Sequence, residues 1–339
     1  MTLGPLMIGI AGPELTGEER ERLRDPAVGG VILFARNFHD VEQLAALTEA
    51  IRALRTPPLL IAADQEGGRV QRFRDGFTAL PPARALGAWW RRDRRAAAAL
   101  AEQFGWLVAA ELRGAGVDLG LGPVLDIDHG VSAVIGDRAL GDRPQAVAEL
   151  GLALARGLRR GGMAAVAKHF PGHGGVAPDS HEALPEDGRD YQDLHETDLL
   201  PFRRLMINGL EGLMMAHVVF PREDSAPASL SARWIQGIVR RRLGFEGAVF
   251  SDDLGMAGAA VAGSIGERVR TALDAGCDIA VLGNEGRDVD PVLPAWRERD
   301  PVAAMRRMRL HGRAAPPLEQ LRASREWQQA REALARLTK

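Results

Sequence analysis

At 339 residues and a formal net charge of −2, the chain can form one large α/β domain and carries no global field that would draw it to nucleic acid or an anionic membrane. Its 46% hydrophobic content suffices for a sizeable core, and its single cysteine, Cys277, excludes an internal disulfide framework. No apolar run approaches the ~18 residues of a membrane span, and Met1-Thr2-Leu3-Gly4-Pro5 lacks a basic n-region and a long h-region, so a cytoplasmic chain without a secretory leader is expected.

Eight apolar, β-rich runs follow in chain order. The first is Leu6–Gly12, after which Thr16 with Glu19 has the form of a capping box. The second is Val28–Ala35; Asp40 followed by Val41, Leu44, Leu47 and Ile51 then predicts an amphipathic helix. The third, Leu59–Asp64, runs into Gln65-Glu66-Gly67-Gly68-Arg69. An Ala/Leu-rich helical stretch over 96–116 closes on glycines. The fourth run, Val117–Asp126, ends in Asp126-Ile127-Asp128-His129, and a helical pattern covers 145–161. The remaining runs are Met163–His169, Leu210–Phe220, Ala248–Asp252 and Cys277–Gly283, with helical patterns over 196–209, 231–244 and 265–276. Cys277 reads as a small buried core thiol. Arginine clusters such as Arg240, Arg241 and Arg242 lack interleaved aromatics and read as solvated helix faces.

Near-continuous apolar strands suit a parallel sheet covered on both faces. Their alternation with helices predicts a (β/α)8 TIM barrel, a single catalytic domain over 1–339, with helices after about 290 packed on the barrel. Polar residues gather at the strand C-terminal ends: Asp64, Asp126, Lys168 with His169, His217, Ser251-Asp252-Asp253 and Asn284. Barrel active sites lie at that face. An open doubly wound sheet also places its site at strand ends but would not need all eight of them.

The densest chemistry is Lys168-His169-Phe170-Pro171-Gly172-His173-Gly174-Gly175-Val176-Ala177-Pro178-Asp179-Ser180-His181. Of 43 basic residues only Lys168 and the terminal Lys339 are lysine. An ammonium is a compact point charge and a guanidinium a planar fork, so Lys168 is read as chosen for its shape towards a ligand. Lys168 and His169 end the fifth strand and can donate to a polar ligand. The Gly172-His173-Gly174-Gly175 run reads as a flexible loop carrying Asp179 and His181. An Asp two residues from a His can accept the imidazole Nδ1–H and raise the basicity of the other nitrogen, which is acid/base equipment. Asp252, after a buried strand, can act as a nucleophile towards an anomeric carbon, with Asp253 bonding backbone beside it. Asp64 with Gly67, Gly68 and Arg69 suits vicinal hydroxyls or a structural turn, and Arg138 suits a substrate clamp or a surface residue.

The motifs KHFPGHGGVAPDSH (168–181), DQEGGRVQR (64–72), VIGDRALG (134–141) and SDDLGM (251–256) together resemble the bacterial β-N-acetylglucosaminidases of glycoside hydrolase family 3, over about residues 6–285. The resemblance implies a (β/α)8 barrel that removes non-reducing terminal β-linked N-acetylglucosamine (GlcNAc). It further implies muropeptide substrates, GlcNAc-1,6-anhydro-MurNAc and its peptide-bearing forms, with no cofactor and no metal. By the same resemblance Asp252 matches the nucleophile, and His181 the general acid/base with Asp179 as partner. Asp64, Arg72, Arg138, Lys168 and His169 match sugar-binding positions, with His217 a further candidate for the same pocket. One departure is Gly255, where relatives more often carry Ser; it is expected to loosen the turn after Asp252 and leave the chemistry intact. A monomer acting in peptidoglycan recycling is the expectation. Three other readings compete. A GlcNAc phosphorylase could use the same barrel. A metal-dependent barrel hydrolase lacks a strand-end H-x-H or an H-E-x-x-H pattern here. A non-catalytic sugar-binding protein would have no use for Asp252 together with Asp179 and His181.

Overall fold

The computed structural model describes residues 2–180, 183–283, 289–293 and 300–338. Eight parallel strands form its centre: β1 (Leu6–Gly9), β2 (Val28–Leu33), β3 (Leu60–Ala63), β4 (Leu119–Gly120), β5 (Val166–Phe170), β6 (Gly212–Met215), β7 (Ala248–Asp253) and β8 (Ile279–Leu282). Their order is β4-β3-β2-β1-β8-β7-β6-β5. The ring is drawn together between β4 and β5 by the chain just after β4. Val166 N–H donates to Gly122 O (2.8 Å), Lys168 N–H to Pro123 O (3.1 Å) and Leu125 N–H to Lys168 O (2.7 Å).

The strands are apolar throughout because both faces are covered: all six residues of β2 and all four of β6 are buried. Strand alternation sorts them into two cores. Met7, Leu60, Leu119, Val166, Phe250 and Val281 fill the barrel interior. Leu6, Ile8, Val31, Ile61, Leu213 and Val249 face the surrounding helices.

The helix starts follow their caps. Thr16 Oγ1 accepts from Glu19 N–H (3.2 Å) while Glu19 Oε2 accepts from Thr16 N–H (2.9 Å), opening the helix Gly17–Arg24. Asp40 caps Val41–Arg52 and Asp93 caps Arg94–Gly114. Two helices differ from the sequence reading. The stretch over 196–209 is two pieces, Tyr191–Glu196 and Leu199–Ile207. They are broken at Asp198, whose buried carboxylate is bonded to Arg189 and His129 rather than used as a cap. Arg233–Arg242 winds as a π-helix. Two short hairpins, Gln65–Gly67 with Val70–Gln71 and Val219–Phe220 with Asp224–Pro227, extend the mouth beyond β3 and β6.

The helix Pro301–Met308, which two more α-helices follow, lies under the base of the barrel, where Arg307 donates to Leu3 O (2.9 Å) and Asp278 O (3.0 Å). Cys277 is buried, and burial pushes its thiol well above its ordinary pKa. Among the described residues, no helix is long and apolar enough to cross a membrane.

Candidate active site

A chain of alternating charges crosses the mouth from β3 to β5. Asp64 follows β3, and Lys168 lies in β5. Lys168 Nζ sits 2.7 Å from both Asp64 Oδ1 and Glu66 Oε1. Arg72 donates to the other oxygen of Asp64 at 2.9 Å. Arg138 grips Glu66 through both oxygens, at 2.7 and 2.9 Å, and its side chain is 12% exposed. Arg138 is thus mostly buried against Glu66. Three cations against two carboxylates leave one residual positive charge, which favours accepting oxygens such as sugar hydroxyls.

The network fixes its own ionisation. Burial alone would raise the Asp64 carboxyl, but Lys168 and Arg72 hold it far below the carboxylate range. Glu66 is likewise brought down to about 2, where Lys168 and Arg138 outweigh burial. Burial would lower Lys168, but Asp64 and Glu66 hold it above its ordinary value. The ammonium is therefore permanent, and compact enough to lie between two carboxylates.

His169 ends the same strand, and its Nδ1 is bonded to Asp126 Oδ2 at 2.7 Å. Asp126 also accepts the His173 backbone N–H at 2.7 Å. Burial opposes ionisation of Asp126, but His169 and these donors bring it below its usual value. Asp126 thereby fixes the imidazole and commits its Nδ1, leaving Nε2 as the other functional atom.

Asp252 is the penultimate residue of β7, and its Oδ1 accepts the Asp253 N–H at 2.8 Å. Its charge favours the protonated form of both His173 and His217, although burial lowers both rings. Asp253 bonds backbone as expected, accepting from Gly255 N–H (2.9 Å) and Gly283 N–H (3.2 Å). Asp253 thereby bonds the Gly255 turn. Burial, then the neighbouring Asp252, raises the Asp253 carboxyl. His217 is fully buried with both ring nitrogens engaged, Nδ1 with Ser229 Oγ (2.6 Å) and Nε2 with Asp253 O (2.9 Å). It buttresses the end of β7 from beneath.

The segment after β5, read from the sequence as a flexible loop, begins in the protein interior. Gly172, His173 and Gly174 are buried. A Cβ on Gly174 would stand 1.8 Å from Ile127 O, so this glycine serves close backbone approach, not freedom. Further along, Ser180 O accepts the Gly258 N–H at 2.9 Å, and Val219 N–H donates to Pro185 O at 2.9 Å. Asp179 lies within this stretch and is partly exposed. His181 and Asn284 lie outside the described residues, so the pairing of Asp179 with His181 is not described. Among the described residues, no three His, Cys, Asp or Glu side chains converge as metal ligands.

Asp64, Arg72, Arg138 and Lys168 are thus joined in one network through Glu66, while His169 and Asp252 lie late in β5 and β7. Glu66, His173 and Ser180 were given no role by the sequence reading, and Asp126 was noted only as a strand-end carboxylate. Glu66 did carry a signal, lying in the noted motif over 64–72.

The family model for the glycosyl hydrolase family 3 N-terminal domain matches residues 6–294. A β-hexosaminidase of Thiobacillus denitrificans is 54% identical over 333 residues, covering 97% of this chain and 93% of its own length. One of Alkalilimnicola ehrlichii is 56% identical over 313 residues, covering 92% and 90%. The crystal structure of NagZ from Neisseria gonorrhoeae in complex with N-trifluoroacetyl-D-glucosamine superposes with a TM-score of 0.94 at 45% identity, covering 100% of this chain and 99% of that one.

Proposed function

The chain belongs to glycosyl hydrolase family 3 and is a glycoside hydrolase, and from that premise we propose that it is a retaining exo-β-N-acetylglucosaminidase. It acts in the cytoplasm on peptidoglycan fragments, releasing the non-reducing terminal GlcNAc of GlcNAc-1,6-anhydro-MurNAc and its peptides.

The reaction runs by double displacement. Asp252 attacks the anomeric carbon as the bond to the leaving oxygen breaks, giving a glycosyl-enzyme. His181, as imidazolium partnered by Asp179, protonates the leaving oxygen. Neutral His181 then takes a proton from water; the hydroxide adds to the anomeric carbon and Asp252 leaves. Two inversions retain the configuration. The chain of Arg72, Asp64, Lys168, Glu66 and Arg138, with His169, holds the sugar hydroxyls. Its fixed charges need no rearrangement as the transition state forms.

The observation that supports this most is the bond from Gly258 N–H to Ser180 O at 2.9 Å. It ties the stretch carrying Asp179 to the turn that follows Asp252, so a nucleophile and an acid/base pair can address one saccharide. The test is hydrolysis of a chromogenic β-GlcNAc and the matching β-glucoside. The wild type should prefer the first strongly, and Asp252→Ala should lose roughly 10⁴-fold or more in kcat while still binding GlcNAc. Equal rates on the two sugars, or an active Asp252→Ala, would overturn the reading.

A further inference from the structure

We propose that Ser180 is a positioning residue that seats the acid/base stretch, held by His173 on one side and Gly258 on the other. This rests on the reading of Asp179 and His181 as the acid/base pair and Asp252 as the nucleophile.

Ser180 is 2% exposed, although Ala177 and Pro178 just before it are exposed. Among the described residues of 177–184 it is the buried one. Its Oγ is 2.9 Å from His173 Nε2, and its carbonyl oxygen is 2.9 Å from the Gly258 nitrogen. The seat has two walls. On the β5 side, His173 is itself buried and its backbone N–H is fixed by Asp126, the carboxylate that also orients His169. On the β7 side, a Cβ on Gly258 would stand 2.8 Å from His217 Cβ and 3.1 Å from Ser180 O. Only a glycine lets the backbone come this close.

His173 suits this task and not proton transfer. Burial holds its pKa below the ordinary value, against the pull of Asp126, so the ring is neutral. Its Nδ1 has no hydrogen-bond partner among the described residues. The tautomer with the proton on Nε2 donates to Ser180 Oγ and leaves a lone pair, rather than an N–H, unpaired. Successive Cα atoms are only ~3.8 Å apart, so pinning Ser180 through both side chain and carbonyl sets the point from which the residues bonded to it reach out. A general acid displaced by about 1 Å loses much of its effect.

The test reads kcat/KM, which reports steps up to the glycosyl-enzyme, on two β-GlcNAc glycosides. One is a disaccharide whose alkoxide must be protonated; the other is the dinitrophenyl glycoside, whose leaving group needs no acid. Ser180→Ala and His173→Leu should each lower the disaccharide value roughly 10- to 100-fold and leave the dinitrophenyl value within about threefold. His173→Gln, which keeps a donor near the Nε2 position, should recover most of the loss. Ser180→Ala matching the wild type on both substrates, or losing equally on both, would overturn the seat. Should His181→Ala lose equally on both, or Asp252→Ala remain active, the catalytic reading fails instead, and the two failures are told apart within one set of variants.

Discussion

Lys168 is the chain's only internal lysine, and its two 2.7 Å contacts explain why it is not arginine. Arg72 already occupies the second oxygen of Asp64, and Arg138 faces both oxygens of Glu66. The remaining space admits a point charge and no planar fork. Lys168→Arg should therefore overpack a buried site, costing about 1–3 kcal/mol of stability. It should also lower kcat/KM on a chromogenic β-GlcNAc by roughly a hundred-fold, because the sugar-facing cations move. Thermal melts and initial rates check both; a wild-type rate in this variant would remove the argument from shape. The residue was legible because composition made it anomalous. Glu66 was not, since its meaning depends on Arg138, 72 positions away. Asp126 likewise depends on His169, 43 positions on. Strand-end polarity is visible in one dimension, but which carboxylate meets which cation is decided by neighbours around the ring.

At the scale of elements, the stretch over 171–190 is a loop by its glycines and prolines, yet its described residues are anchored at several points. Its far end is fixed by Arg189, which donates to Asp187 and Asp198 at 2.6 Å each, while His129 Nε2 lies 3.0 Å from Asp198. Both carboxylates are nearly inaccessible, and the guanidinium is 27% exposed. Burial raises Asp198, but His129 and Arg189 bring it below its ordinary value. Removing the cation strands two buried charges. A fully buried pair broken this way loses about 3–5 kcal/mol; with part of Arg189 in water, Arg189→Leu should lose about 2–3 kcal/mol. The urea midpoint should fall accordingly, and proteases should cut within 171–190 at concentrations that spare the wild type. Unchanged cleavage would mean that the loop does not depend on this anchor. The sequence marked the loop by punctuation that serves turns and close packing alike. Gly174 lies against the Ile127 backbone, and Gly172 and Gly175 lie against the side chains of Asp198, Asp187 and Arg189, and only the fold reveals that.

The whole molecule was the most legible part, because covering both faces of a parallel strand forces an apolar run and eight such runs are hard to miss. How the ring draws together was not legible, since Gly122–Leu125 bonds to β5 without forming a regular strand of its own. One property belongs to the assembled barrel: its response to acid. Asp64, Glu66, Asp126 and Asp198 all have folded pKa values below their ordinary ones. Each stabilises the fold fully above its unfolded pKa and loses that contribution as pH falls through the folded value. Asp253 and Asp278, raised first by burial, act in the opposite sense and regain stability on protonation. For Glu66 the fall from 4.5 to about 2 corresponds to up to about 3 kcal/mol at neutral pH. Urea midpoints followed from neutral pH downward should hold until about pH 4.5 and then decline. Glu66→Gln should start lower at neutral pH and decline less, so the two curves converge towards about pH 2. Parallel curves would show that the acid limb arises elsewhere, and that the Lys168–Glu66–Arg138 part of the mouth does not set the protein's stability.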